Sequence, residues 1–233
     1  MMLQTFGKEA ADKHNVSSNI ASYIKEKILC GEWNPGDRIV ETKLARELEM
    51  SQTPIREAVR QLAGEGVVTI VPNKGPFVRT FSAKDIFEIY SYRAVLEGMA
   101  IRLAVGNASL TDIRHLEQFY EEMKKKLPDD AIESLSEDSG YIHNYIFKLA
   151  KHAVLLEMFA FISFRVRLVN RIVGKKYSKE REVSEHWELI EALKQGNPDE
   201  AERVMRAHIQ RAYLEFVDTG KFDRSELAKN EWL

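Results

Sequence analysis

The stretch from Glu41 to Thr80 constrains the fold of this chain more than any other, because three kinds of local signal follow one another there without a gap. Glu41 to Leu48 carries Leu44, Ala45 and Leu48 at helical spacing, and the short turn Glu49-Met50-Ser51 ends it. A second helix is expected over about Thr53 to Glu65, with Ser51 or Thr53 as its cap and Pro54 at its first position, where a missing N–H costs nothing. Val67 to Val71 is then β-branched and strand-like, Pro72 to Pro76 is a turn, and Phe77 to Thr80 returns. Two short helices joined by so tight a turn read as a helix-turn-helix, and the hairpin behind them reads as a wing. A further helix comes before this unit. Ile20, Tyr23, Ile24, Lys27 and Ile28 recur behind the candidate caps Ser17 and Ser18, and Gly31 with the turn Trp33 to Asp37 closes it.

Beyond Ser82 the apolar pattern is helical to the end. Turn signals at Gly106-Asn107, Pro128-Asp129-Asp130, Gly174 and Gly196-Asn197-Pro198 divide it into six helices, near 83–105, 109–127, 131–152, 153–173, 179–195 and 198–219. The expected fold is therefore mainly α: a winged helix-turn-helix of three helices and a β-hairpin, followed by an antiparallel bundle of about six helices. The corresponding divisions are a polar leader at 1–15, the winged unit at 16–80, the helical unit at 81–220 and a charged tail at 221–233. No apolar run approaches the roughly 20 residues of a membrane span, and the start has no basic-then-apolar signal layout, so a cytoplasmic protein with no membrane partner is expected. The single cysteine, Cys30, has no internal disulfide partner and reads as a small packing residue.

Bulk charge says little about partners. The net charge is −2, and residues 1 to 80 carry 11 Lys+Arg against 10 Asp+Glu. Binding to nucleic acid would need the basic groups segregated onto one face. The helix after the turn offers that segregation: Ile55, Val59 and Leu62 lie on one side, while Gln52, Arg56 and Arg60 follow at intervals of four on another. Arginine can contact guanine and glutamine adenine through paired hydrogen bonds in the major groove, each worth about 1–3 kcal/mol of discrimination. Ser51, Thr53 and the amides at the helix start suit phosphate oxygens, as do Lys43, Arg46 and the wing residues Lys74 and Gly75. The plainer reading pairs Arg56 and Arg60 with Glu57 or other neighbours on a solvated helix, but the order of helix, turn, capped helix and wing favours double-stranded DNA.

In the helical half, Ile86, Ile89 and Arg93 share a face, which sets a guanidinium among apolar neighbours and requires an anion. That anion is either Glu97, one turn away, or a ligand carboxylate held through two hydrogen bonds. His143 shares a stripe with Ile146 and Ala150, His186 with Leu189, Ile190 and Leu193, and His208 with Ala201, Val204 and Met205. One inward histidine is usually a core residue, whereas three from separate helices could converge on zinc or nickel. Such a site could also serve a metal-dependent hydrolase or lyase, but there is no HExxH helix, GxSxG elbow, phosphate-binding loop or dinucleotide fingerprint, so a non-enzymatic role is preferred. Glu121-Glu122 with Lys124 to Lys126 reads as solvated surface. The cluster Leu155, Leu156, Met158, Phe159, Phe161, Ile162 and Phe164 reads as core or dimer interface.

The N-terminal pattern resembles the DNA-binding domain of GntR-family bacterial repressors. The residues that carry the likeness are Pro35-Gly36, Leu44-Ala45, Thr53-Pro54-Ile55-Arg56-Glu57-Ala58, Leu62, Gly66 and Gly75. Gln52 departs from it, since the family commonly has arginine there, so the preferred operator is expected to differ from the common one. Residues 85 to 217 resemble the FCD effector domain of the FadR-like branch, opening with YSYRAVLEGMAIRLA. The resemblance implies a ligand carboxylate at Arg93 and metal ligation by His143, His186 and His208, which are 43 and 22 residues apart. It also implies an aspartate one turn before His143. Ser139 stands there, with Asp138 one residue earlier, so the fourth position falls to one of these or to water or ligand. The implied protein is a homodimer on a pseudo-palindromic operator, with repression relieved by a small carboxylate metabolite.

Overall fold

The computed structural model describes residues 2–128, 132–173 and 179–218, with side chains over 16–128, 137–172 and 179–215. The first helix, α1 (Met2–Leu29), starts well before Ser17 and Ser18, since Lys8 to Val16 contains neither glycine nor proline to break it. Ile20, Ala21, Ile24 and Ile28 bury one face of α1 against α3 (Gln52–Gly64). Between them α2 (Glu41–Glu47) buries Leu44 and Ala45, while Leu48 is half-buried. Ser51 is the N-cap of α3, in extended backbone and without a side-chain cap bond, so Thr53 lies inside the helix. Pro54 is third in α3 rather than first, still within the turn whose N–H groups have no intrahelical partner.

The wing consists of β1 (Val68–Val71) and β2 (Gly75–Val78), antiparallel with Val68 opposite Val78 and Val71 opposite Gly75. Asn73 and Gly75 take positive φ at its tip, 60° and 91°, the second of which suits glycine alone without strain. The segment after the Pro35-Gly36 turn also joins the wing. Gly36 N–H donates to Val78, Val78 N–H to Asp37 and Ile39 N–H to Pro76, each at 2.9 Å.

Six further helices follow among the described residues: α4 (Ala83–Asn107), α5 (Leu110–Lys125), α6 (Ile132–Ala150), α7 (Ala153–Val173), α8 (Lys179–Gln195) and α9 (Pro198–Asp218). Ser82 with Asp85 and Ser109 with Asp112 form reciprocal capping boxes that start α4 and α5. Helix α4 lies against α6, α8 and α9, and α8 also touches α5, α6 and α9. This arrangement brings the inward faces of α4, α6, α8 and α9 onto one core, which includes Tyr90, Ile101, Ile142, Ile146, Leu189, Ile190, Met205 and Ile209. Two compact units meet in sequence between Phe81 and Ser82, and Phe164–Leu168 group with the first.

Two surface expectations change. Lys126 does not simply face solvent but donates to both carboxylate oxygens of Asp138, at 2.8 and 2.9 Å. The apolar cluster of α7 is split, with Phe159 and Ile162 buried and Leu156, Met158 and Phe161 exposed. The charged tail expected at 221–233 and the turns expected at Asp129-Asp130 and Gly174 lie outside the described residues. Among the described residues no helix is long and apolar enough to cross a membrane.

Candidate functional site

The period of α3 buries Ile55, Ala58, Val59 and Leu62 and turns Gln52, Arg56 and Arg60 outwards, where all three are exposed. Arg56 Nη2 donates to Gln52 Oε1 at 3.0 Å, and its Nε lies 3.6 Å from Glu41 Oε2, so its acidic neighbour is Glu41 rather than Glu57. These contacts are solvent-exposed and cheap to exchange, and they hold the Gln52 and Arg56 side chains side by side. Ser51 and Thr53 are exposed at the start of α3, Lys43 and Arg46 on α2, and Lys74 at the wing tip, while Gly75 is half-buried. One basic group escaped the sequence reading. Exposed Arg38 bridges to Phe77, and its guanidinium passes close to Gly75. Its signal is the pairing of residues 36–39 with the wing, which is too short to show as alternation.

In the helical unit, His143 of α6, His186 of α8 and His208 of α9 are all buried and converge, with ligand atoms within 4.8 Å of one another. Their ring centroids are 5.3, 5.2 and 4.8 Å apart. The Nδ1 atoms face outwards to acceptors. His186 Nδ1–H donates to the Glu182 carbonyl at 2.6 Å, His208 Nδ1 faces Glu185 Oε2 at 3.2 Å, and His143 Nδ1 abuts Glu97 Oε2 in an ion-pair contact whose angles fall short of a linear hydrogen bond. An Nδ1–H committed to an acceptor leaves the Nε2 lone pair of a neutral ring unprotonated. His143 Nε2 and His208 Nε2 are 3.3 Å apart, and His186 Nε2 is buried with no hydrogen-bond partner. Two such lone pairs repel unless a proton or a cation lies between them. A tetrahedral ion with metal–nitrogen bonds of 2.0–2.1 Å has ligand edges of roughly 3.3 Å, the length of the His143–His208 edge, and with all three donors within 4.8 Å of one another the set suits a divalent ion of the zinc or nickel type.

The carboxylates behind the rings are anchored in turn. Arg93 Nε donates to Glu97 Oε1 at 2.6 Å, which is the internal partner weighed for Arg93 in the sequence, and its guanidinium lies over the Tyr90 ring. Burial alone would push the Glu97 carboxyl up, but Arg93 and His143 outweigh it and hold it well below the usual carboxylate range. Glu185 accepts from Arg181 Nε at 2.8 Å and from Arg211 Nε at 2.7 Å. Burial opposes its ionisation too, yet His208 and these arginines bring it to about 2. Burial lowers His186 to about 4 and also lowers His208, so His186 is neutral at pH 7. Glu97 and Glu185 were not anticipated as neighbours of the centre; the available hint was an arginine one turn before each, Arg93 and Arg181.

Neither expected fourth position joins the converging atoms. Asp138 is held through both oxygens by Lys126, and Ser139 Oγ–H donates to Glu182 Oε1 on α8. Asp138 precedes the His143 face by one residue, so its side chain turns towards α5 instead.

The FCD domain family matches residues 88–211, and the family described as bacterial regulatory proteins, gntR family, matches residues 16–78. The chain belongs to the gntR family. Its winged unit is thus the gntR DNA-binding domain, and the three histidines lie in its FCD domain. Among its relatives, the Nta operon transcriptional regulator of Aminobacter aminovorans is 33% identical over 80% of this chain and 87% of its own length. A probable D-xylose utilization operon transcriptional repressor of Paenarthrobacter nicotinovorans is 29% identical over 85% of this chain and 87% of its own. The structure of E. coli McbR/YncC superposes with a TM-score of 0.73 at 20% identity, covering 88% of this chain and 99% of that one, and so shares the fold. This gntR-family protein is a metabolite-responsive, DNA-binding transcriptional regulator, and membership of a family of regulators sets aside the metal-dependent hydrolase or lyase.

Proposed function

We propose that this regulator is a cytoplasmic repressor that leaves a pseudo-palindromic operator when a small carboxylate metabolite enters its helical domain. The observation that carries the sensing half is the convergence of three imidazoles whose Nδ1 atoms all face fixed acceptors while their Nε2 atoms face one another. His143, His186 and His208 would hold a divalent ion, zinc or nickel, through Nε2. When bound, that ion supplies a positive, Lewis-acidic charge that attracts carboxylate. Glu97 and Glu185 fix the tautomer and direction of two of the rings, and the Glu182 carbonyl does so for the third. Arg93 is the second candidate contact for the metabolite. Its partner Glu97 also touches His143, so a carboxylate arriving at the guanidinium would alter the surroundings of the histidines.

On the DNA side, Gln52, Arg56 and Arg60 would read base edges, while Lys43, Arg46, Ser51, Thr53, Lys74 and Gly75 would meet phosphates. A single recognition helix reads too few bases for genomic specificity, which supports a homodimer. Exposed Tyr92, Val95 and Met99 form one apolar stripe along α4 that a second copy could cover. Relatives named as operon repressors support repression rather than activation.

Metabolite binding shifts operator affinity only if it differs between two arrangements of the dimer. The test combines melting temperature with operator-binding anisotropy across a panel of small carboxylic acids, with zinc or nickel and after chelation. The reading expects an acid whose stabilisation requires metal, is lost in His186→Ala, is weakened in Arg93→Lys, and accompanies release of DNA. Unchanged operator affinity under a saturating, stabilising acid would overturn it.

A further inference from the structure

We infer that Arg38 is a DNA-contacting residue of the winged unit, closing together with Lys74 on a backbone phosphate beside the wing tip. This goes one step beyond the reading that the wing meets phosphate through Lys74, and rests on it. The first argument is placement. Residues 36–39 run as a short third strand beside β2: Ile39 N–H donates to Pro76 and Val78 N–H to Asp37, each at 2.9 Å, with Arg38 paired opposite Phe77. Phe77 pairs in turn with Thr69 of β1. Side chains alternate along such strands, and Ile39 is buried, so Arg38 stands on the opposite face in one row with Phe77 and Thr69. Arg38 and Thr69 are exposed, and Phe77 is half-buried. The arginine thus projects from a hydrogen-bonded ladder, which spares the ordering cost that a loop residue would meet on binding.

The second argument is charge. A Cβ built on Gly75 would come 3.7 Å from Arg38 Nη2 and 3.9 Å from its Nε, so the guanidinium lies along the hairpin tip, beside the residue that follows Lys74. Gly75 leaves that flank of the guanidinium open, since any side chain there would touch it. Other basic groups of the winged unit have internal anions: Lys25 has Glu65, Lys27 has Glu32 and Glu47, and Arg56 has Glu41. Among the described residues Arg38 has neither an ion pair nor a side-chain hydrogen bond, and its neighbour Asp37 accepts from the Asn34 N–H instead. Two exposed cations therefore share one turn, with no carboxylate set between them. The guanidinium fork matches a pair of phosphate oxygens, and no internal ion pair has to break before it does so.

The test is fluorescence anisotropy of the full-length protein on two short labelled duplexes, one A·T-rich and one G·C-rich, across a range of salt concentrations. Arg38→Gln is expected to weaken binding several-fold on both duplexes alike, and to lower the slope of log affinity against log salt by about one for each winged unit bound. Arg38→Lys keeps the charge and loses the fork, so it should keep the wild-type slope and stay within a few-fold of wild-type affinity. Both variants should melt at the wild-type temperature, because the backbone pairing of residue 38 needs no side chain. Lys74→Gln separates this inference from the reading beneath it. A reduced slope in Lys74→Gln with the wild-type slope in Arg38→Gln overturns the role of Arg38 and leaves the wing on the DNA, whereas the wild-type slope in both overturns both. A loss confined to one duplex makes Arg38 a reader of groove chemistry, and a lowered melting temperature makes it a support of the wing; either result overturns the phosphate contact.

Discussion

Arg56 carries the sharpest single-residue expectation at the proposed DNA surface, because it is exposed on α3, linked to Gln52 and, among the described residues, balanced by the edge of Glu41. Arg56→Ala is expected to weaken operator binding by about 1–3 kcal/mol and to relax preference at one base pair, read by anisotropy on a panel of single-base operator variants. A uniform loss across the panel would make Arg56 a phosphate contact instead. This surface was legible in the sequence because α3 has an unbroken helical period that separates Ile55, Val59 and Leu62 from Gln52, Arg56 and Arg60. The surroundings of the histidines were not, since Glu97 meets His143 and Glu185 meets His208 across distant parts of the chain. His186 gives a second expectation. Its folded value of about 4 lies below the ordinary 6.5, so the unfolded chain takes up the proton first as pH falls. Stability of the chelated protein should therefore decline from pH 6.5 towards about 4, by up to about 1.4 kcal/mol per unit. The depressed Glu185 carboxyl acts lower, between about 4.5 and 2. Urea denaturation at pH 7 and pH 5 checks this: the difference should shrink in His186→Gln, and an equal difference in both proteins would assign it to other groups.

At the scale of elements, the starts of α4 and α5 were placed near 83 and 109 from turn signals, and the structure adds the chemistry that fixes them. Ser82-x-x-Asp85 and Ser109-x-x-Asp112 begin α4 and α5, and both boxes form, with Asp85 N–H donating to Ser82 Oγ at 3.1 Å and Ser82 N–H to Asp85 Oδ2 at 2.9 Å. Helix α4 also carries Arg93 and Glu97, so fraying at its start would reach the histidine centre within a few turns. Ser82→Ala is expected to cost about 1 kcal/mol of stability, seen as a lower melting temperature, and no change would mean that burial of Ala83 and Ile86 alone fixes the helix start. Elements without such marks were less legible. The start of α1 has no cap residue or apolar period to mark it, and residues 36–39 pair with β2 through backbone groups that leave no side-chain period. Gly75 was visible as a turn residue, but its φ of 91° and its closeness to Arg38 depend on that hidden pairing.

The proposed homodimer would place two recognition helices on one stretch of DNA, and the stripe Tyr92, Val95 and Met99 on α4 is the surface on which that proposal can be tested without touching the winged unit. These side chains are 40%, 46% and 39% exposed, and a buried carboxylate in the middle of such a stripe would cost more than the apolar contacts return. Val95→Glu is therefore expected to sediment as a monomer at concentrations where the wild-type protein is a dimer. Its folding should be unaffected, since Val95 faces away from the buried Ala94 and Leu96. Binding to a single half-site should also be unchanged, because α3 and the wing are intact. On the full operator the monomer makes half the phosphate contacts, so its affinity should fall to the half-site value and the slope of log affinity against log salt should halve. If Val95→Glu remains a dimer with the wild-type salt slope, the subunits meet elsewhere, and the exposed Leu156, Met158 and Phe161 of α7 become the next face to charge. If it is monomeric yet keeps full operator affinity, one winged helix suffices for recognition and the pseudo-palindrome has no physical basis.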